Sequence, residues 1–460
     1  MTSPGREAVY RLYGFAHKTA KKILRRTPHA GYRTVSVPPE KLTGGLLAVS
    51  PGDAGSCIND LQSPAGTVAQ SDLFPVENVV GAGAFPELDD SFTRKKGSRL
   101  IPARPEDAPG LWLKFIDASK IPEGYRNAGL YYAGYILESG SYCLPSWIWT
   151  GAAVVRMKCQ TGKTDKAAGL CDLFIEKQLP EGGWVVRFDY DSRGAVPVIA
   201  PNDSAYIANN ALVETYLATG STRFLEAAER CAQWIISTAR PDGMVNVGYS
   251  VRDRKWLKNY NIVDVGFTAG LFSRLFAITG NPGYKSFLDR FVQRYIDLFY
   301  IPGSGFATSL DAADRRLGGM FGRGQAWALE GLLPYYEVTK DARTAGAIET
   351  AVRTLLDNVT PDGAWPYNLS RKLMGIDCKA TPVIASALYH LFELDETRTD
   401  CLEAAKKALE WCKKHTSAAG SSAGGIFSYS TEGAIVHHMY TSTAFTYSSA
   451  YAAELSGHLK

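Results

Sequence analysis

The chain has 460 residues, 45% of them hydrophobic and 21% charged, which is enough apolar material for one large domain or several ordinary ones. Its formal net charge of +4 is small and scattered, which argues against a nucleic-acid surface. No run of about 18 apolar residues is present, so no membrane span is expected. The first residues, Met1 to Pro28, lack the apolar stretch of a signal peptide, and the expected location is the cytoplasm.

In chain order, residues 1–120 read as an irregular N-terminal extension, rich in Pro, Gly, Ser and Asp. Within it, Tyr10 to Arg26 could form a short basic amphipathic helix. Val35–Val37 and Leu46–Val49 could form short strands. Residues 121–460 are different, because they repeat about every 60 residues. One mark of the repeat is Thr-Gly or its equivalent, at Thr161–Gly162, Thr219–Gly220, Thr279–Gly280, Thr339–Lys340, Leu394–Asp395 and Ser456–Gly457. A second keeps step with it: Gly182–Gly183–Trp184, Asp242–Gly243, Gly303–Ser304–Gly305, Asp362–Gly363–Ala364–Trp365 and Gly424–Gly425. Two turn signals per period, each flanked by helix-length stretches, describe a helical hairpin.

The hairpins are expected at 146–160 with 167–177, 203–218 with 221–238, 263–278 with 282–299, 323–338 with 342–358, and 380–392 with 397–415. The helix at 440–459 has no partner after it, and one at 126–138 has none before it. Pairing those two closes a ring. The predicted fold is therefore all-α: an (α/α)6 toroid of six hairpins, with charged outer helices and inner helices rich in Ala, Gly and Ser.

In such a ring, polar residues at the starts of the inner helices converge on one cavity. They are Trp147 and Trp149; Asp203; Asp264; Arg323, Gln325 and Trp327; Asp377 and Lys379; and His437, His438 and Tyr440. Each has two readings. Asp203 suits a helix N-cap as well as a site. Asp264 is flanked by Val263 and Val265, so its carboxyl is expected to be desolvated and to keep a proton, or else to pair with a buried arginine. Arg323, among glycines, could meet a ligand carboxylate or form an ion pair with Asp264 or Asp311. Trp149, Trp327 and Trp365 could stack on sugar rings or fill the core. The 9 Trp, 24 Tyr and 19 Phe leave both options open. Eight cysteines show no zinc-site spacing and are expected as free thiols. The pair Asp311 and Asp314 lacks the clustering that terpenoid cyclases on such rings require.

The segment Gly322–Leu329 closely resembles the Arg-Gly-Gln-Ala-Trp signature of unsaturated glucuronyl hydrolases, glycoside hydrolase family 88, and of the related family 105. Trp147–Gly151, the spacing of Asp203 and Asp264, and Ile376–Ala380 are similar to further elements of that family. The resemblance runs over about residues 145–460. It implies hydration of the double bond of a 4,5-unsaturated uronic acid at the non-reducing end of an acidic oligosaccharide or polysaccharide. It implies Asp264 and Asp203 as catalytic residues, and Trp147, Trp149, Asn202, Arg323, Gln325, Trp327, Asp377, Lys379, His437 and Tyr440 around the substrate. No metal or other cofactor is implied. The chain departs from the family pattern in carrying Asn202 where a histidine usually precedes the first aspartate, and it has no histidine between residues 30 and 389. Alternatives on the same fold are a lyase, an epimerase, an ordinary glycosidase, or a non-catalytic toroid that binds a glycan or a protein.

Overall fold

The computed structural model describes residues 101–460 except 122, 124–127, 137–140, 144–147, 192–193, 247, 257–260, 317–319, 370–375, 419, 428–442 and 460. Upstream it describes two strands, β1 (Thr34–Ser36) and β2 (Thr67–Ala69), paired antiparallel. The strand expected at 35–37 thus begins one residue earlier. The helix at 10–26 and the strand at 46–49 lie outside the described residues.

Twelve helices follow among the described residues. The first, α1 (Ala108–Ala118), is an outer helix. Next come α2 (Trp149–Gln160) with α3 (Thr164–Lys177). The fourth, α4, is continuous over Pro201–Ile207, a π-helical turn Ala208–Val213, and Glu214–Thr219, and it pairs with α5 (Thr222–Thr238). Then come α6 (Phe267–Thr279) with α7 (Pro282–Phe299), α8 (Gly322–Thr339) with α9 (Ala342–Asn358), and α10 (Ala380–Leu394) with α11 (Thr399–Lys414). The last is α12 (Thr446–His458). The even-numbered helices form the inner ring. Each packs on the next, and α12 returns to α2, so the circle closes as an (α/α)6 toroid.

The division into inner and outer helices follows side-chain chemistry. On α5, Phe224, Ala227, Ala228, Cys231 and Ile235 are buried, while Glu226 and Arg230 face solvent. That is a one-sided stripe at helical spacing. On α8, by contrast, every residue from Gly322 to Leu329 is buried. Small residues let the inner helices approach closely: a Cβ on Gly331 of α8 would sit 2.1 Å from the Gly266 carbonyl oxygen.

Both repeat marks have a structural cause. Thr219 and Thr279 donate their hydroxyls to the carbonyl four residues back, each at 2.7 Å, and Gly220 and Gly280 end the helix in the left-handed region. Lys340 adopts the same conformation at φ 55°. The later marks differ: Asp395 leaves α10 extended, and Gly457 lies within α12. At the second mark, the indole of Trp184 donates to the Phe174 carbonyl and that of Trp365 to the Leu355 carbonyl, both at 2.8 Å. Each tryptophan satisfies the open end of the preceding outer helix. Trp365 is completely buried in this role and does not face a sugar site.

The glycine beside it lets neighbouring hairpins touch. Gly363 has φ +94°, and a Cβ there would fall 2.5 Å from the Lys407 carbonyl carbon on α11. Gly363→Ala is therefore expected to destabilise the fold by about 2–4 kcal/mol, through a left-handed non-glycine residue and a backbone clash together. Chemical denaturation of the variant checks this, and a loss below about 1 kcal/mol would contradict the tight packing.

Ring closure corrects one expectation. No helix forms among the described residues of 126–138, because Gly134–Ile136 is strand β3, paired with β4 (Ser141–Cys143) and with the strand Thr443–Phe445. Aromatic and glycine content around Tyr131–Ile136 favours strand over helix, and Gly129 turns the chain at φ +86°. The outer partner of α12 is α1, which buries Trp112, Phe115 and Ile116. This ring helix lies N-terminal to the boundary expected at 120/121. The last inner helix also starts later than expected, at Thr446, after the strand Thr443–Phe445. No helix among the described residues is long and apolar enough to cross a membrane. The described cysteines Cys159, Cys171, Cys231, Cys378, Cys401 and Cys412 are free thiols.

Candidate active site

The inner helices begin at one mouth of the ring, and there the two aspartates meet. α4 starts on Pro201 after an extended Ala200, with no side-chain cap. Asp203 is therefore not the N-cap. It lies in the first turn, where the helix dipole favours negative charge. Asp264 sits in a 3-10 turn, Val263–Gly266, that leads directly into α6. This turn is held from three sides. The strand Asn261–Ile262 pairs with the strand Ser309–Leu310, the Val263 amide donates to the Thr308 carbonyl at 2.9 Å, and the Tyr295 hydroxyl of α7 donates to the Val263 carbonyl at 2.7 Å. Burial and the Asp264 charge hold the Tyr295 phenol well above its ordinary pKa, so it stays a neutral donor.

Asn202 joins the two acids. Its Nδ2 donates to Asp264 Oδ2 at 2.9 Å and to Asp203 Oδ1 at 3.3 Å. Asn202 is fully buried and each aspartate is only 4% exposed, so the three form one compact, almost fully buried unit. Residues one repeat apart are thus brought within hydrogen-bonding reach of a shared amide. One amide holding both carboxylates fixes their rotamers before any ligand arrives.

Beside this unit lies a chain of aromatic rings from successive inner helices. Trp149 of α2 meets Tyr206 of α4 edge-on at 5.6 Å between centroids. Tyr206 meets Phe267 of α6 at 4.8 Å, and Phe267 meets Trp327 of α8 at 6.1 Å. Tyr447 of α12 packs on the other side of Trp149 at 4.9 Å. Tyr206 follows Asp203 by one helical turn, and Phe267 follows Asp264 by three residues.

The remaining predicted residues have other partners. Arg323 and Asp377 form an ion pair of 2.8 Å with both side chains at 0% exposure. The guanidinium lies 4.9–5.2 Å from the ring centroids of Phe321, Trp327 and Tyr367. Arg323 and Asp377 thus brace one another, and Arg323 forms an ion pair with neither Asp264 nor Asp311. Gln325 is corrected in the same way. Its Oε1 accepts from the Phe306 amide and its Nε2 donates to the Phe306 carbonyl, both at 2.8 Å, so its amide is spent on the edge of the strand Gly305–Phe306. Lys379 is fully buried, with its ammonium over Tyr367 at 5.5 Å and Phe445 at 4.9 Å. Trp147, His437, His438 and Tyr440 lie outside the described residues. Tyr206, Phe267, Tyr447 and Tyr295 were not anticipated. Their aromatic type within the first turns of inner helices was the available signal for the first three. No cluster of His, Cys, Asp and Glu suited to a metal exists among the described residues.

No family model and no curated protein matches the sequence. Solved structures do match in shape. An unsaturated glucuronyl hydrolase from Bacillus sp. GL1, described as responsible for the degradation of glycosaminoglycan, superposes with a TM-score of 0.60 at 14% identity. The match covers 78% of this chain and 97% of that one. This chain has the same fold. A GH76 α-mannanase from Bacteroides thetaiotaomicron matches with a TM-score of 0.58 at 13% identity, over 77% and 95% of the two chains. A sugar epimerase from a ruminal bacterium matches at 0.59 and 15% identity, over 77% and 98%. The toroid is thus shared by hydrolases and epimerases alike.

Proposed function

We propose that this toroid is a carbohydrate-active enzyme that hydrates the double bond of a 4,5-unsaturated uronic acid at the non-reducing end of an acidic oligosaccharide. The observation that carries the reading is the Asp203–Asn202–Asp264 unit beside the aromatic chain. The resemblance of Gly322–Leu329 to the glucuronyl hydrolase signature supports it. Vinyl-ether hydration needs an acid that delivers a proton to C4 and a negative charge near C5, where positive charge develops. A carboxyl buried among apolar neighbours retains its proton better than one in water.

In this reading Asp264 protonates C4, and Asp203 stabilises the oxocarbenium-like centre at C5. A water molecule adds its oxygen to C5, and its proton returns to the Asp264 carboxylate. The resulting hemiketal opens by cleaving its C5–ring oxygen bond, giving a ketone at C5 and a hemiacetal at C1, and the hemiacetal then releases the sugar from C1 as an alcohol. Asn202 keeps the two carboxyls in register throughout. Trp149 and Trp327 offer faces for the sugar ring. Arg323 acts as a positioning residue through Trp327 and Tyr367.

A second reading is an enzyme acting on a neutral, saturated sugar. The burial of Arg323 and Lys379 favours it, because neither presents an exposed cation to a uronate carboxylate. One experiment separates the two. Purified protein is incubated with unsaturated uronyl disaccharides of several linkages, and the ultraviolet absorbance of the double bond is followed. A time-dependent loss, with release of the unsaturated unit as a keto acid, is the expected result. Intact absorbance across the set, together with conversion of a saturated oligosaccharide, would establish the second reading instead.

A further inference from the structure

A cavity of about 330 Å³ opens at the opposite end of the ring's axis, where the inner helices finish. All six contribute to its wall, through Arg156, Asn210, Arg274, Glu330, His390 and Glu454 in chain order. None of the residues assigned to the other mouth takes part except Phe267, whose ring is shared by both ends. A volume near 300 Å³ is at the lower end for small-molecule sites.

The arginines are already engaged. Arg156 bonds Glu330 at 3.2 Å, Glu454 at 2.8 Å and Ser386 at 3.1 Å. Arg274 bonds Glu214 at 2.7 Å and Asn209 at 3.4 Å. Two further wall residues, Glu337 and Glu393, are exposed at the rim and form no ion pair among the described residues. His390 adds no compensating charge: burial, with Arg156 and Arg274 nearby, lowers its pKa to about 4, so it is neutral at physiological pH. Five glutamates and two arginines line the cavity, so its formal charge is net negative, with the two exposed glutamates at the opening, and burial raises the pKa of the Glu330, Glu337 and Glu454 carboxyls.

Its interior also holds unused hydrogen-bonding capacity. Asn210 is 6% exposed, lines the cavity and makes no side-chain hydrogen bond among the described residues. Glu330 Oε2 is buried and likewise has no partner among them. Asn210 belongs to the π-helical turn Ala208–Val213. Consecutive Asn209 and Asn210 of this turn both lie on the cavity wall. π-helical turns are rare, and they recur at functional sites.

We infer that this cavity binds a small organic ammonium that carries further hydrogen-bonding groups, an amino sugar or a polyamine. Glu337 and Glu393 attract the cation, and Asn210 and Glu330 receive its polar groups. The site is distinct from the aspartate mouth and does not depend on the function proposed for it.

Titration calorimetry on the full chain tests the inference with glucosamine, spermidine, glucose and glucuronate. At least one of the two ammonium compounds should bind, with glucose and glucuronate at least about tenfold weaker. The Glu337→Gln/Glu393→Gln pair, at exposed positions, should weaken ammonium binding about tenfold or more, and Asn210→Ala should weaken it several-fold. Asp264→Asn should leave it unchanged. Glucosamine binding without spermidine binding identifies a cyclic amino sugar as the ligand type, and the reverse identifies a linear polyamine. The inference is overturned if neither ammonium binds, if glucose matches glucosamine, or if the double glutamine variant binds as the parent does.

Discussion

Asp264→Asn is expected to lower turnover about 10³-fold while leaving KM and thermal stability close to the parent values. The size follows from the role. The asparagine amide has no proton to deliver to carbon, and no other acid occupies that place in the Asp203–Asn202–Asp264 unit. The fold survives because the asparagine Oδ1 can still accept the Asn202 Nδ2 bond, 2.9 Å long in the parent. The stability change should therefore stay within about 1 kcal/mol. Asp203→Asn should also slow turnover, by stabilising the developing cation less. Steady-state kinetics on an unsaturated disaccharide, with circular dichroism as a folding control, provide the check. Near-parental kcat in Asp264→Asn would remove this residue from the chemistry.

The largest stability effect should come from the Arg323–Asp377 pair. Both side chains are inaccessible to water, 2.8 Å apart, and surrounded by Phe321, Trp327 and Tyr367. Removing either partner strands a charge inside the protein. Arg323→Met or Asp377→Leu alone should destabilise by about 3–5 kcal/mol. The double variant should recover much of that loss, because it buries no charge. Chemical denaturation of the two single variants and the double variant measures the coupling. Additive losses would show that the pair acts as two independent residues. The same cycle bears on activity, since Arg323 packs on Trp327 and Tyr367. Its loss should alter activity mainly through the position of Trp327.

Much of this architecture was legible in the residues. The Thr-Gly mark is a hydroxyl back-bond and a left-handed helix end, and the Gly-x-Trp mark is an indole that closes the previous helix. Both are local devices where they occur, the first at Thr219–Gly220 and Thr279–Gly280 and the second at Trp184 and Trp365, and their spacing reveals the hairpins. The run around Tyr131–Ile136 was misread because its apolar residues suit either period over so short a length. Its strand state depends on pairing with Thr443–Phe445, far along the chain. The polar cavity also left a trace. Arg156, Glu214, Arg274, Glu330, His390 and Glu454 interrupt Ala-rich inner helices about one repeat apart.

By itself, the order of residues determined the period, the split between inner and outer helices, and the convergence of Asp203 and Asp264, because helix faces and turns are set by near neighbours. Only the tertiary structure decided which polar groups face the hollow and which face each other. Arg323, Gln325, Asp377 and Lys379 sit at the same helix starts as the aspartates, yet they are buried among one another, backbone groups and aromatic rings. Inside a close-packed ring a polar side chain takes whatever partner the facing helices bring within about 3 Å, and those partners lie one repeat or more away in the chain.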